Sequence, residues 1–137
     1  MERQAAIERL DRLHAVQARF YAGGPAQPLA DLLAADVVWT VPGSSPIAGA
    51  HSGVEAVMAY FARRRDLAAQ SFTMHRIDVL TGEGELVAAL TDGSAVLGGE
   101  TRTWSTVGLY RFLRDGRVAA CWLLPLDPRA FDAIWSH

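Results

Sequence analysis

Trp104-Ser105-Thr106-Val107-Gly108-Leu109-Tyr110-Arg111-Phe112, then Asp115-Gly116, then Val118-Ala119-Ala120-Cys121-Trp122-Leu123-Leu124-Pro125, is the stretch on which the reading of this chain turns. An Asp-Gly pair between two runs rich in β-branched and aromatic residues is a strong local signal for a β-hairpin. Both runs are long enough to lie at the centre of a sheet. The first alternates only in part and the second is nearly all apolar, which predicts a sheet covered on much of both faces.

Working outward, Glu85–Ser94 and Phe72–Leu80 read as two more strands, turned at Gly82-Glu83-Gly84 and linked to the hairpin through Leu97-Gly98-Gly99. Four consecutive strands of this kind pair as a meander. Ahead of them, Ile7, Leu10, Leu13, Val16 or Gln17, and Phe20 recur at helical spacing. They predict an amphipathic helix over 5–22, ended by Gly23-Gly24-Pro25. A short helix over 29–34 and a strand over 37–41 follow, the strand stopped by Pro42-Gly43, and the Gly-, Ser- and Pro-rich stretch from Gly43 to Gly53 reads as a loop. Ser52-Gly53-Val54-Glu55 has capping-box spacing and predicts a helix from Gly53 to near Arg65, with Val57, Met58 and Phe61 inward. Asp127-Pro128 caps a last helical turn through Phe131 and Trp135. Helices first and strands afterwards specify an α+β fold, with the helices over one face of a curved sheet. Such a cone encloses an apolar cavity suited to a small molecule.

A chain of 137 residues makes one domain, 1–137, that buries roughly two-thirds of its unfolded surface without staples. No apolar run approaches the ~20 residues of a membrane span, and Met1-Glu2-Arg3-Gln4 does not start a signal peptide. The single cysteine, Cys121, forms no internal disulfide, suits a reducing cytoplasm and reads as a small buried hydrophobe. The net charge of −2 draws the protein to neither nucleic acid nor anionic membrane. There is no lysine, which excludes Schiff-base chemistry through a side-chain amine. Arg63-Arg64-Arg65 is the one basic cluster, read as a solvated helix end or else as an anion site.

Four stretches resemble a known superfamily: Asp36-Val37-Val38-Trp39 into Pro42-Gly43; Ser45-Pro46-Ile47-Ala48-Gly49 with Gly53; Asp115-Gly116-Arg117-Val118; and Trp122 followed by Asp127. Over nearly its whole length the chain resembles the nuclear transport factor 2-like proteins. More closely it resembles the SnoaL-like proteins, which include polyketide cyclases, beside ketosteroid isomerases and limonene-epoxide hydrolases. The resemblance implies a cone-shaped mixed sheet under N-terminal helices, a pocket for a hydrophobic small molecule, chemistry without a cofactor, and a homodimer paired through the outer sheet face. It also implies what is missing. Phe20 stands where ketosteroid isomerases have an oxyanion-hole tyrosine, Val41 where they have the aspartate base, and Gly108 where they have a protonated acid. Of the hydrolase set, Asp92 survives; Leu90 replaces the bridging arginine, and Leu123 or Leu124 the second aspartate. Thr40 stands where the family pattern often carries histidine.

The catalytic candidates are therefore Asp92, His75 and Tyr110. If Leu90, Asp92 and Ser94 face the cavity, Asp92 is a carboxylate in an apolar pocket, raised toward the range of a general acid or base. Otherwise Asp92-Gly93 is a solvated turn. His75 reaches the cavity unless Phe72 and Met74 do so instead. Tyr110 shares a strand face with Gly108 and offers a hydroxyl to a ligand carbonyl or to backbone. Phe20, Trp39, Val41, Phe61, Leu90, Trp104, Gly108 and Trp122 are the candidate ligand-contacting wall. His14 and His51 are weaker candidates, and the histidines form no metal-binding pattern. Ser44 and Ser45 lack a nucleophile elbow, and Gly23-Gly24 and Gly98-Gly99 lack phosphate-binding spacings. The function expected is a cofactor-free cyclase or isomerase acting on a polyketide-like metabolite, as in antibiotic biosynthesis. The alternatives are a non-catalytic carrier, an epoxide-hydrolase-like enzyme, or an interaction module.

Overall fold

Asp115-Gly116 does turn the chain. Gly116 takes φ +91°, the Leu113 N–H donates to the Arg117 carbonyl at 2.8 Å, and the Arg117 N–H donates to the Asp115 carboxylate at 3.0 Å. The computed structural model describes residues 1–136. Its elements are α1 (Arg3–Tyr21), α2 (Gln27–Ala30), β1 (Leu33–Val41), β2 (Gly49–Ser52), α3 (Val54–Leu67), β3 (Thr73–Thr81), β4 (Leu86–Leu97), β5 (Glu100–Phe112), β6 (Val118–Pro125) and α4 (Pro128–Trp135). One six-stranded sheet has the order β2-β1-β6-β5-β4-β3. The four late strands form the expected meander, and β6 then pairs parallel with β1.

The sheet bends for identifiable reasons. The register shifts in β1 between Leu33 and Val38, in β3 between Arg76 and Asp78, and in β5 at Arg111; irregularities of this kind increase local twist. Two glycines on the concave face admit large rings. A Cβ on Gly93 would overlap the Trp104 indole, and one on Gly108 would lie 2.6 Å from Tyr110 Cε2. The rings of Trp104 and Tyr110 thus lie across the strands where a side chain would otherwise project.

On the concave side α1 buries Ala6, Leu10, Leu13, Gln17, Phe20 and Tyr21, and α3 buries Val57, Tyr60, Phe61 and Arg64. Asp127 caps α4 by accepting from the Ala130 N–H at 3.1 Å, which sets Phe131 and Trp135 into the open end of the cone. Arg9 donates to the carbonyls of Leu113 at 3.1 Å and Arg114 at 3.0 Å, tying α1 to the hairpin turn.

Three sequence expectations are corrected. Residues 49–52 form β2 because β1 pairs with them, from Val38 with Ser52 to Val41 with Gly49; their composition is that of a turn. Ser52 therefore ends a strand and caps nothing: Gly53, at φ +87°, is the N-cap, with no side-chain cap bond. The sheet is covered by this chain on one face only. Trp122 and Leu124 on β6 are 39% and 47% exposed, and Leu80 is 68% exposed.

Candidate functional site

The cone narrows to a small hollow. Its helical wall is His14 and Gln17 of α1 and Arg64 of α3; its sheet wall includes Trp39, Thr91, Gly93, Thr106, Gly108, Tyr110 and Leu123; Phe72, Met74 and Trp104 complete it. Its free volume is about 30 Å³, room for one or two water molecules. The rings take up the rest. Trp39 meets Phe61 edge-on at 4.9 Å and Tyr110 at 5.9 Å, and Phe72 lies 5.8 Å from Trp104.

Among the described residues, the one ionised side chain of the hollow is Arg64, only 5% exposed. Its Nε donates to the Tyr21 hydroxyl at 2.9 Å, Nη2 donates to the same oxygen, and Nη1 donates to the Tyr60 hydroxyl at 2.7 Å. The rings of Phe72, Tyr60 and Tyr21 lie 4.6, 5.0 and 5.1 Å from the guanidinium carbon, so the cation is faced by π-electrons. Burial pulls the guanidinium down, but the two phenolic oxygens outweigh it and the net shift is upward. Burial likewise pushes Tyr21 and Tyr60 up against the opposing pull of Arg64, so both remain neutral phenols. No carboxylate lines the hollow among the described residues.

His14 closes the outer side. Burial first, then the positive charges of Arg76 and Arg64, lower it from 6.5 to about 4 against a smaller opposing pull from Asp11. It is a neutral imidazole at pH 7. Two polar atoms of the wall are buried with no hydrogen-bond partner, Trp39 Nε1 and Gln17 Oε1. The Tyr110 hydroxyl and the Cys121 thiol belong to cross-strand neighbours, and burial raises both groups.

His14, Phe72 and Met74 also line an outer groove of about 380 Å³ between α1 and β3, together with Ala18, Tyr21, Ala22, Gln70 and Thr73. These three side chains separate groove from hollow. The loop at its rim carries two consecutive non-glycine residues in left-handed conformation, Ala69 at φ +47° and Gln70 at φ +66°, a costly geometry that packing must hold.

The sequence candidates divide. Tyr110, Trp39, Trp104 and Gly108 line the hollow. Phe20, Val41 and Phe61 are buried in the core behind its wall. Asp92, His75, Leu90 and Trp122 lie on the outer sheet face, which corrects the expectation that Leu90, Asp92 and Ser94 look inward. The parity of β4 is set by Val87, Ala89 and Ala95, each at most 1% exposed, and by Gly93 beneath Trp104. Asp92 points the other way and accepts from Ser105 Oγ at 2.5 Å. His75 is its cross-strand neighbour, and both side chains are exposed to solvent. The serine donates directly to the aspartate, so no histidine stands between them as a nucleophilic relay requires.

Gln17 is a site residue that the sequence placed only on the inner face of the first helix, and Arg64 one that it offered only within a basic run, read as a solvated helix end or else as an anion site. Val57, Phe61 and Arg64 share one helical phase, so the signal for a buried arginine was present within the basic run. Among the described residues no three His, Cys, Asp or Glu converge as metal ligands, and no helix is long and apolar enough to cross a membrane.

A curved six-stranded sheet with a parallel β1–β6 closure, capped by helices around a small hollow, defines the nuclear transport factor 2-like class. Within it, the SnoaL-like domain profile matches residues 8–121, and the chain belongs to that family. The fold is similar to Bal32a from a soil-derived mobile gene cassette, at 27% identity and TM-score 0.81 over 95% of this chain and 98% of that one. It is similar to an NTF2-like protein from Burkholderia xenovorans at 20% identity and TM-score 0.72, with 98% of each chain covered. It is also similar to a putative isomerase from Rhodopseudomonas palustris at 20% identity and TM-score 0.74, covering 90% of this chain and 91% of that one. Among curated proteins none matches.

Proposed function

We propose that this SnoaL-like protein binds a largely apolar small molecule at the mouth of its cone and holds it without a cofactor, as a carrier or sequestering protein. The observation that carries this reading is the placement of charge. The acid that would drive an isomerase or hydrolase, Asp92, is on the outer face, while the hollow holds a cation and a neutral imidazole. Proton abstraction needs a base within hydrogen-bond reach of the substrate, and no carboxylate among the described residues meets that condition. The groove supplies apolar contact area, and Trp39 and Trp104 supply a fluorescent report of occupancy.

A second reading has one specific observation in its favour. His14 is neutral, sits between groove and hollow, and lies beside a fixed positive charge. In a cofactor-free isomerase or cyclase on a polyketide-like substrate it would take the proton while Arg64 steadied the resulting anion. One experiment separates the readings: native mass spectrometry of the purified protein, then extraction and analysis of any bound molecule after prolonged incubation. A ligand recovered unchanged agrees with the carrier; conversion that disappears in His14→Gln overturns it in favour of the enzyme.

We also propose a homodimer through the outer face. Cross-strand neighbours Leu80, Ala88, Leu109 and Trp122 form one row, and Leu90, Val107 and Leu124 the next. A contiguous apolar surface of this kind marks an interaction site. Sedimentation should give a dimer for the wild type and a monomer for Trp122→Arg; a monomeric wild type refutes the assignment.

A further inference from the structure

We infer that the hollow is the seat of an anionic head group, best a carboxylate, whose apolar body lies in the groove between α1 and β3. This rests on the small-molecule-binding reading and names the class of ligand.

The argument starts from charge. A buried ion is ordinarily paired, because several kcal/mol of lost hydration must be offset. Arg64 is paired with two neutral phenols and aromatic faces only. A guanidinium has five N–H groups. Three are engaged by Tyr21 and Tyr60, which leaves two, one on each Nη. The second observation is independent of it. Trp39, 2% exposed, lines the same hollow, and its indole N–H has no partner. An indole nitrogen is a donor and never an acceptor. A cation with spare donors and a buried orphan N–H thus share one cavity with no acid among the described residues, and its one orphan acceptor, Gln17 Oε1, belongs to an amide that presents an N–H donor instead when it turns over. That donor set is complementary to an acceptor-only group bearing negative charge, which an ionised carboxylate is.

Size and access agree. The hollow, at about 30 Å³, admits a head group of a few atoms and no more. The groove beyond His14, Phe72 and Met74, at about 380 Å³, is within the size of small-molecule sites. Met74 and Phe72 shape the passage, and methionine is the most adaptable of apolar side chains. A fatty or aryl-alkyl monocarboxylate enters head first and leaves its apolar end among Ala18, Ala22 and Phe72. A neutral molecule of the same shape leaves the spare donors unanswered, so it should bind more weakly by the worth of one or two charge-assisted hydrogen bonds, about 10- to 100-fold each.

The test is titration of the full chain with decanoate and with decanol at pH 7.5, followed by tryptophan fluorescence and calorimetry. It is repeated with Trp39→Phe, which removes the indole N–H together with part of the ring, so that acid and alcohol are compared within the same variant, and with Arg64→Gln, each first checked for a cooperative melt. The expected result is 1:1 binding of decanoate at least tenfold tighter than decanol. That preference should shrink at least tenfold in Trp39→Phe and vanish in Arg64→Gln. If Arg64→Gln does not fold, Trp39→Phe decides. Equal binding of acid and alcohol overturns the anion assignment while leaving a small-molecule site standing. A preference for the acid that is undiminished in Trp39→Phe overturns the placement of the head group in this hollow. Binding of neither, with a panel of aryl carboxylates and their amides equally inert, overturns both this inference and the reading beneath it.

Discussion

Tyr21→Phe isolates the energetics of the buried cation. The substitution keeps the ring, which packs against Phe72 at 4.5 Å, and deletes the hydroxyl that accepts from both Nε and Nη2 of Arg64. Hydrogen bonds to a charged group are worth about 1.5–3 kcal/mol each. The two here share one acceptor, so they add less than fully, and the loss should be about 2–4 kcal/mol. That is a large part of the ~5–15 kcal/mol by which a domain of this size is stable, and at roughly 3 °C per kcal/mol it lowers Tm by about 6–12 °C. Tyr60→Phe removes one bond and should cost about 1.5–3 kcal/mol. Urea unfolding followed by tryptophan fluorescence measures both, and the double variant Tyr21→Phe/Arg64→Met should be less destabilised than the two single changes added. If Tyr21→Phe lies within about 0.5 kcal/mol of wild type, the phenol is not what holds the guanidinium. The reasoning from an unpaired buried charge then fails with it.

Three further outcomes are expected. His14 binds its proton more weakly in the folded state than in the unfolded chain, at about 4 instead of 6.5. Its contribution is thus fully present above pH ~6.5 and is lost between there and pH ~4, up to about 3 kcal/mol in all; His14→Gln should flatten stability across that window, and an unchanged pH profile counts against a buried neutral imidazole. Gly93→Ala should destabilise by about 1–3 kcal/mol through overpacking, because its Cβ meets the Trp104 indole, with the change visible in near-ultraviolet circular dichroism; a neutral result means Trp104 is free to move. Asp127→Ala should cost about 1 kcal/mol as a lost helix cap, since Asp127 accepts from the Ala130 N–H, and a full loss of folding would show that α4 closes the cone cooperatively.

Element order was legible because it rests on periodicity and turn chemistry. Leu10, Leu13 and Phe20 mark the buried face of α1, and Asp115-Gly116 sets the hairpin. The facing of β4 was not legible. Val87, Ala89 and Gly93 on one side and Leu86, Ala88 and Leu90 on the other are apolar alike, so no alternation reveals parity, and a one-residue slip exchanges the faces. What decides it is tertiary: only Gly93 leaves space for the Trp104 ring. The outer leucines lie on a face that no helix of the described residues covers, so burial within the chain does not account for their apolarity. β2 was illegible because its strand character comes from pairing with β1. Arg64 was half legible, since its phase matched Val57 and Phe61, yet a triple-arginine run reads first as a solvated helix end. Arg65 shows how close that reading came: it lies over the Phe20 ring at 4.5 Å while remaining partly exposed.

The sign of the charge inside the cone is what separates the functional readings. The resemblance on which an isomerase or hydrolase was expected requires carboxylates projecting inward, where desolvation raises them into the range of a working base. Here the surviving carboxylate is outside, hydrogen-bonded to Ser105, and the inward ion is Arg64. Desolvation does not turn an arginine into a base, because the guanidinium keeps its proton. It instead strengthens the arginine's attraction for any anion admitted beside it, since the field of a buried charge is poorly screened. The same cone that elsewhere could make an acid reactive therefore makes this site selective, and neutral His14 at the passage adds no competing charge. Trp39 Nε1 and the Arg64 guanidinium then stand as a receptor's donors do, held in place before the ligand arrives, and the side chains left to move are those at the passage, Phe72 and Met74.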